Sequence, residues 1–375
     1  MFKTARYFFR DKVFIIATIL AVLSMFIISP STAYLTYINW RVLIIMFTLM
    51  IAVQGFYETH FFDFVATKLI MHFKSIRWIG FFIILATFFL AMFLTNDAVL
   101  LTLVPFTIFI TRHTKQEKHV IIIIILQTFA ANLGSALTPM GDPQNIYLYA
   151  FYDIPFFEFI LTTLPIAIVG LILISITTMI KIPNTVCQLS IIAPTVLWKK
   201  LGLCSLILFN GLLCVLNILP EWYTLGITLF LALLYGNHLF KRVDYTLLLT
   251  FVSFFIFTGN LGQMNLINSQ IIGLLDSKFS VYFTGLLTSQ LISNVPAAVL
   301  LSTFTAKAYW QQLLLGVNVG SMGTIIASLA SLITFKYMLK DYPSETKKYL
   351  ITYTVLSLIF MVVISIVVLM LPLMF

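Results

Sequence analysis

Two aspartates and a group of amides stand where a very apolar chain has little reason to place them. Asp97 lies in "FLTNDAVLLTLVPFT" and Asp142 in "NLGSALTPMGDPQN", the second directly after the run "HVIIIIILQTFAA". An ionisable side chain inside hydrocarbon is costly, and its default reading is functional. A carboxylate there can carry a proton or hold a cation, and Asn side chains beside it both accept and donate hydrogen bonds. Other chemistry lacks its residues. No Walker lysine motif, dinucleotide fingerprint or metal-binding His pair is present, and the few acids form no catalytic couple. Cys187, Cys204 and Cys214 have neither metal nor redox spacing. The residues point to ion handling without a cofactor beyond Na⁺ or H⁺.

The elements that position them are membrane helices. Of 375 residues, 61% are hydrophobic and 9% charged, whereas soluble domains carry about 25% charged residues. Segment after segment offers roughly 17–20 apolar residues, enough to cross a bilayer. The net charge of +9 is spread singly between apolar runs, which fits positive-inside loops and argues against a nucleic-acid partner. The apolar run from Val13 to Ser29 follows basic residues, as in a signal peptide, but exceeds the usual h-region and reads as a retained first helix. Glu58, His60 and Asp63 fall in an amphipathic stretch and read as interfacial.

The chain also repeats itself. "YINWRVLIIMFTLMIAVQGF" resembles "KRVDYTLLLTFVSFFIFTGN", "FLTNDAVLLTLVPFT" matches "LISNVPAAVLLSTFT", and "NLGSALTPMGD" matches "NVGSMGTIIAS". Asn132, Gly134, Ser135 and Thr138 thereby pair with Asn318, Gly320, Ser321 and Thr324. Spanning helices are expected over 13–29, 41–56, 119–150 (broken), 156–180, 201–219, 222–239, 246–261, 309–335 (broken) and 349–371. Helical hairpins are expected over 78–111 and 279–306. An odd number of crossings separates the two starts, so the expected fold is an all-α polytopic protein of two inverted repeats with about 9–11 transmembrane segments. The division is 1–180 for the first repeat, 181–221 for a linker and connecting helix, and 222–375 for the second. With the N-terminus in the cytoplasm and the C-terminus outside, all of the 22 Lys and Arg except Arg41, Lys278 and Lys307 fall on inside loops.

Irregular backbone survives in a membrane only where protein buries it or a polar cavity meets it. Four breaks in two matched pairs therefore imply one midplane site, with freed carbonyls for Na⁺ and helix N-termini for an anion. Its expected residues are Thr95, Asn96, Asp97, Asn132, Gly134, Ser135, Thr138, Asp142, Asn145, Ser293, Asn294, Asn318, Gly320, Ser321 and Thr324. Candidate Na⁺ positions are Thr95, Asn96 and Gly134, and Ser293, Asn294 and Gly320. Ordinary kinks would explain one break but not matched pairs. Asp97 as a helix cap and Asp142 at an interface are the plainer alternatives for the acids. The second repeat has Val295 and Ser328 at their places.

"TNDAVLLTLVPF", "NLGSALTPMGDPQN" and "SNVPAAVLL" together resemble the ion transporter superfamily, in its arsenite-permease/NhaD-like and citrate-transporter-like branches. The resemblance spans the chain and implies a secondary transporter of a small ion in the cytoplasmic membrane, often a homodimer, with rocking or elevator-like motion. Dicarboxylate carriers of this kind usually read Ser-Asn-Thr at both tips. Here Thr95-Asn96-Asp97 and Ser293-Asn294-Val295 lack the final Thr, and Asp97 looks more like the arsenite-permease side. A small anion coupled to Na⁺ or H⁺ is the first expectation. Arsenite or antimonite efflux and Na⁺/H⁺ antiport are the alternatives.

Overall fold

The computed structural model describes residues 12–187, 193–264 and 272–372, and these fold into helices. The basic residues Lys3, Arg6 and Arg10 lie outside the described residues. In chain order the helices are α1 (Lys12–Met25), α2 (Trp40–Glu58), α3 (Phe61–Ile70), α4 (Ile76–Ala91), α5 (Asn96–His113), α6 (Val120–Ser135), α7 (Pro143–Phe151) and α8 (Phe156–Lys181). There follow α9 (Trp198–Val215), α10 (Glu221–Tyr235), α11 (Tyr245–Gly262), α12 (Lys278–Ile292), α13 (Asn294–Ser302), α14 (Trp310–Val319), α15 (Leu329–Asp341) and α16 (Thr346–Leu369). Among the described residues six helical stretches are long and apolar enough to cross a membrane, and three shorter helices are apolar too.

Both expected broken helices are interrupted. The first stops at Ser135 and resumes at Pro143, whose fixed φ suits the first helical position and whose missing N–H costs nothing there. The second stops at Val319 and resumes at Leu329 with a single 3₁₀ turn, Ile325–Ala327, inside the gap. Some boundaries differ from expectation. α1 ends at Met25 and not at 29, where the Ser24 hydroxyl turns back onto the Ala21 carbonyl at 2.7 Å. The helix expected over 222–239 ends at Tyr235, because Gly236 leaves the helix at φ +146°. α15 runs past 335 to Asp341, and Lys340 in its last turn complements the helix C-terminus.

Helix contacts sort into two groups. α1 lies along α11, while α2 is held by α9 and α10. In the other group α4 and α5 pack on α6, α12 packs on α14, α7 lies against α13, and α15 lies against α5. α8 and α16 contact each other, and α8 turns Leu161, Ile168, Ile172, Ile176 and Ile180 outward. Such an apolar row is a lipid-facing surface. Inside, polar clamps replace the hydrophobic effect as the specific glue. Gln127 on α6 donates to Thr87 on α4 at 3.2 Å and accepts from Thr107 on α5 at 2.8 Å. Thr228 on α10 takes Asn210 of α9 and Thr48 of α2, each at 3.0 Å.

Gly134 is where α6 approaches α4 most closely, since a Cβ on it would collide with the Phe88 carbonyl oxygen. Gly134→Ala should cost about 1–3 kcal/mol of overpacking, seen as a fall of several degrees in thermal melting of the detergent-solubilised protein. Gly202→Ala, inside α9, meets no atom within 4 Å and should melt at or slightly above the wild type, since Ala is the better helix former.

Candidate functional site

The site grows from the first hairpin tip. Thr95 is extended (φ −65°, ψ 141°) and Asn96 opens α5. The backbone N–H of Asn96 donates to the Gly141 carbonyl at 3.1 Å, which ties the tip to the break between α6 and α7. Asn96 Oδ1 accepts the Asp97 N–H at 2.8 Å. Its Nδ2 therefore faces inward, donating to Asp142 Oδ2 at 2.8 Å and Asn132 Oδ1 at 3.2 Å. The Ser135 hydroxyl stands 3.5 Å from the same carboxylate oxygen. Asn145 Nδ2 donates to the carbonyls of Ser135 at 3.1 Å and Thr138 at 3.5 Å, and the Thr138 hydroxyl donates to the Met92 carbonyl.

The second tip repeats much of this pattern. Asn294 Oδ1 accepts the Val295 N–H at 3.0 Å, as Asn96 accepts that of Asp97. The Ser321 hydroxyl donates to the Asn318 carbonyl at 2.7 Å, and that of Ser135 to the Asn132 carbonyl at 3.1 Å. Thr324 donates to the Gln290 carbonyl at 3.1 Å, the counterpart of Thr138 with Met92. Asp142 stands at the N-cap position of α7 at φ −147°, ψ 143° without a side-chain cap bond, and Ser328 stands at that of α15 at φ −144°, ψ 142° and accepts the Ala330 N–H. Ser293 donates to the Ala327 carbonyl at 3.3 Å, which ties this tip to its own break.

The two halves are then joined. Ser328 donates to Asn132 Oδ1 at 3.0 Å, and Asn132 Nδ2 reaches the Ser321 carbonyl at 3.4 Å. Asn318 Nδ2 donates to Asn145 Oδ1 at 2.8 Å, and Gln144 Nε2 to Asn318 Oδ1 at 3.5 Å. Asn96, Asn132, Ser135, Asp142, Asn145, Asn318 and Ser321 thus share one buried network, with Ser293 and Asn294 buried at the second tip. Thr138 is a buried brace for the first hairpin.

Other expected residues stand differently. Thr324 is exposed and its hydroxyl braces the second hairpin instead of joining the network. Gly134 owes its identity to the close approach of α4, and its carbonyl accepts the Leu137 N–H at 3.1 Å. The Gly320 carbonyl accepts from Gln290 Nε2 at 2.7 Å. Gln144 and Ser328 belong to the network although neither was expected as a site residue. For Ser328 the repeat alignment with Asp142 was the available signal; for Gln144 there was only its place inside the break.

Thr95 and Asp97 line a cavity of about 290 Å³ bounded by α2, α5, α7 and the start of α11, with Tyr57, Arg242, Asp244 and Tyr337 also in its wall. Arg242 pairs with Glu58 at 3.1 Å, and Glu58 also meets His238 at 2.7 Å. Asp97 Oδ1 has no hydrogen-bond partner among the described residues. Asp142 does not line this cavity and is 4% exposed. A second cavity, of about 510 Å³, is lined by Tyr37, Arg41, Tyr147, Phe255, Thr258 and Thr303 among others. Tyr147 is held in its wall by Ser302 at 2.8 Å and by the Phe255 ring, 5.6 Å between centroids. Among the described residues no group of three or more His, Cys, Asp or Glu side chains is placed to hold a metal.

Comparison with known proteins follows the same lines. The citrate transporter family is matched over residues 5–315. The chain is similar to an uncharacterized transporter of Methanocaldococcus jannaschii, 35% identical with 80% of this chain and 81% of that one covered. It is also similar to the inner membrane protein YbiR of Escherichia coli, 31% identical over 84% of each chain. A Dictyostelium discoideum protein whose name places it among arsB transporters is 26% identical over 36% of this chain and 24% of its own length.

The cavity should admit a reagent to Thr95 but not to Asp142. In a chain whose native cysteines are replaced by alanine, Thr95→Cys should react with a membrane-impermeant thiol reagent added from one side only. Asp142→Cys should stay unmodified over the same time. Equal labelling of the two would contradict the cavity's depth.

Proposed function

The chain belongs to the citrate transporter family, and from that premise we propose that this membrane transporter moves a small anion, an organic carboxylate or inorganic oxyanion, coupled to Na⁺ or H⁺. The observation that carries the reading is the buried network of Asn96, Asn132, Asp142, Asn145 and Asn318, which joins two interrupted helices and a hairpin tip. A multi-pass protein keeps such polar groups in its interior at a cost, and interrupted helices supply the termini that recognise ions.

The matched hydrogen bonds at Thr138 and Thr324, at Ser135 and Ser321, and at the two caps support two repeats within 1–180 and 222–375, joined through 181–221. Exchange of partners between halves, α1 with α11 and α10 with α2, supports their inverted relation, with α4–α5 and α12–α13 as re-entrant hairpins. The charge pattern supports a cytoplasmic N-terminus and an outside C-terminus in the cytoplasmic membrane. In this arrangement the cavity at Asp97 opens toward the cytoplasm and the cavity at Tyr147 toward the outside, with the buried network of amides between the two breaks as the site that alternating access connects to one side at a time.

Asp97 is the coupling residue in this reading. It stands in the wall of the inward cavity, whereas Asp142 is already surrounded by Asn96 and Ser135. A sodium ion would rely mainly on Thr95, Ser293 and freed carbonyls, because the side-chain oxygens of Asn96 and Asn294 already accept backbone N–H groups. The arsB likeness keeps arsenite or antimonite as the second reading, and Na⁺/H⁺ exchange needs only the two acids and the amides. A homodimer is part of the family expectation.

Uptake into proteoliposomes, with citrate, succinate, sulfate, arsenite and Na⁺ against a pH gradient as the panel, separates these readings. Anion movement driven by a Na⁺ or pH gradient is expected, and cation exchange with no anion requirement would overturn it. Asn96→Ala and Asn294→Ala should each lower uptake at least about tenfold, the scale of one lost charge-assisted hydrogen bond. Asp97→Asn should remove the dependence on the gradient. Coupling retained in that variant would assign the role elsewhere.

A further inference from the structure

The amides of the site have fixed polarity because backbone groups anchor them. Asn318 Nδ2 donates to the Leu314 carbonyl at 2.9 Å, so its Oδ1 must face Gln144, which answers with Nε2 at 3.5 Å. Gln144 Oε1 is then left without a partner among the described residues, on a side chain of 0% exposure. Asn294 is anchored in the same way by the Val295 N–H, which leaves its Nδ2 as an unpartnered donor at 1% exposure. The equivalent amide of the first tip, Asn96, is saturated by Asp142 and Asn132. Ser328, at the place of Asp142, gives its hydroxyl to Asn132 and offers Asn294 nothing. The two tips therefore differ in what they hold out to a ligand.

A buried donor or acceptor without a partner is costly and calls for one. Asn294 opens α13, a helix of nine residues whose N-terminal partial charge also favours an acceptor oxygen. Gln144 is in the first turn of α7, which packs directly on α13. On the anion-transport reading above, we propose that these two residues set specificity. Asn294 receives an acceptor oxygen of the substrate, and Gln144 Oε1 receives an O–H group of the same molecule. The site then favours an anion that keeps a hydroxyl, and disfavours one whose oxygens only accept.

Two pairs of probes differ by that feature: malate against succinate, and phosphate against sulfate. In competition uptake with purified protein in proteoliposomes, the hydroxyl-bearing member of each competing pair should win by at least about a hundredfold, as sites built to bond a hydroxyl do. The wild-type ratio tests this without any variant. Gln144→Met keeps the side-chain volume and should bring the ratio to within about threefold. Asn294→Asp should weaken both members of a pair alike and leave the ratio intact. Equal handling of both members by the wild type, or a ratio that survives Gln144→Met, overturns the inference while anion transport stands. If none of the four anions competes or moves, this inference fails, and the panel with citrate and arsenite decides separately whether the anion reading stands.

Discussion

No backbone N–H or C=O can be left alone in hydrocarbon, and both breaks exist only because that rule is met locally. In each break one amide side chain does the stapling. Asn145 donates to the carbonyls of Ser135 and Thr138, at 3.1 and 3.5 Å. In the second break Gln290 donates to the carbonyls of Gly320 and Met322, at 2.7 and 2.9 Å, and accepts the Thr324 N–H at 2.9 Å. The solutions differ in origin, since Asn145 comes from the helix that restarts and Gln290 from the hairpin leg beside it. Loss of either staple would free carbonyls that no solvent can satisfy.

The spanning segments and the breaks were legible because apolar run length and Gly/Pro placement are local properties. Pro143 and the Asp142 cap are local signals of a helix restart, and α7 begins there. Matched Asn, Ser and Thr positions in the two halves were also visible, and the pairs Ser135/Ser321 and Thr138/Thr324 make corresponding hydrogen bonds. What composition could not reveal was direction. Thr324 carries the same side chain as Thr138 but is exposed, because the second break turns outward at Gly323, with φ +105°. Gln144 was not legible at all, since its role depends on Asn318 from the other half of the chain. Long-range pairing of this kind leaves no periodic trace.

The Glu58–Arg242–His238 group shows the same limit. A sequence reading puts Glu58 at an interface, and the fold adds partners there that the sequence does not indicate, bringing the end of α2 against the turn at Asn237–Arg242. Its carboxylate then holds the guanidinium that lines the cavity at Asp97. Among the described residues Arg242 is the one basic side chain in that wall, and it is paired with Glu58 from behind. Asp97 and Asp244 stand in the same wall, so the cavity sets two carboxyl groups beside that guanidinium.

That balance bears on how an anion could be accommodated near Asp142. The network around this carboxylate consists of amides and hydroxyls, and among the described residues no Lys, Arg or His is bonded to Asp142. If Asp142 is ionised, a second negative charge brought beside it is repelled by several kcal/mol at short range, since two unit charges 4 Å apart interact by about 4 kcal/mol at an effective dielectric near 20. Repulsion falls with distance and with charge brought in alongside. On the proposed reading an anion held between Asn294 and Gln144 stays near that carboxylate, so the repulsion must be met by charge brought in alongside. Loading Asp97 with a proton or cation supplies the compensation. Near-identical backbone at Asp142 and Ser328, with a carboxyl group in one place and a neutral hydroxyl in the other, is on the proposed reading a physical reason for an anion and a coupling ion to move together.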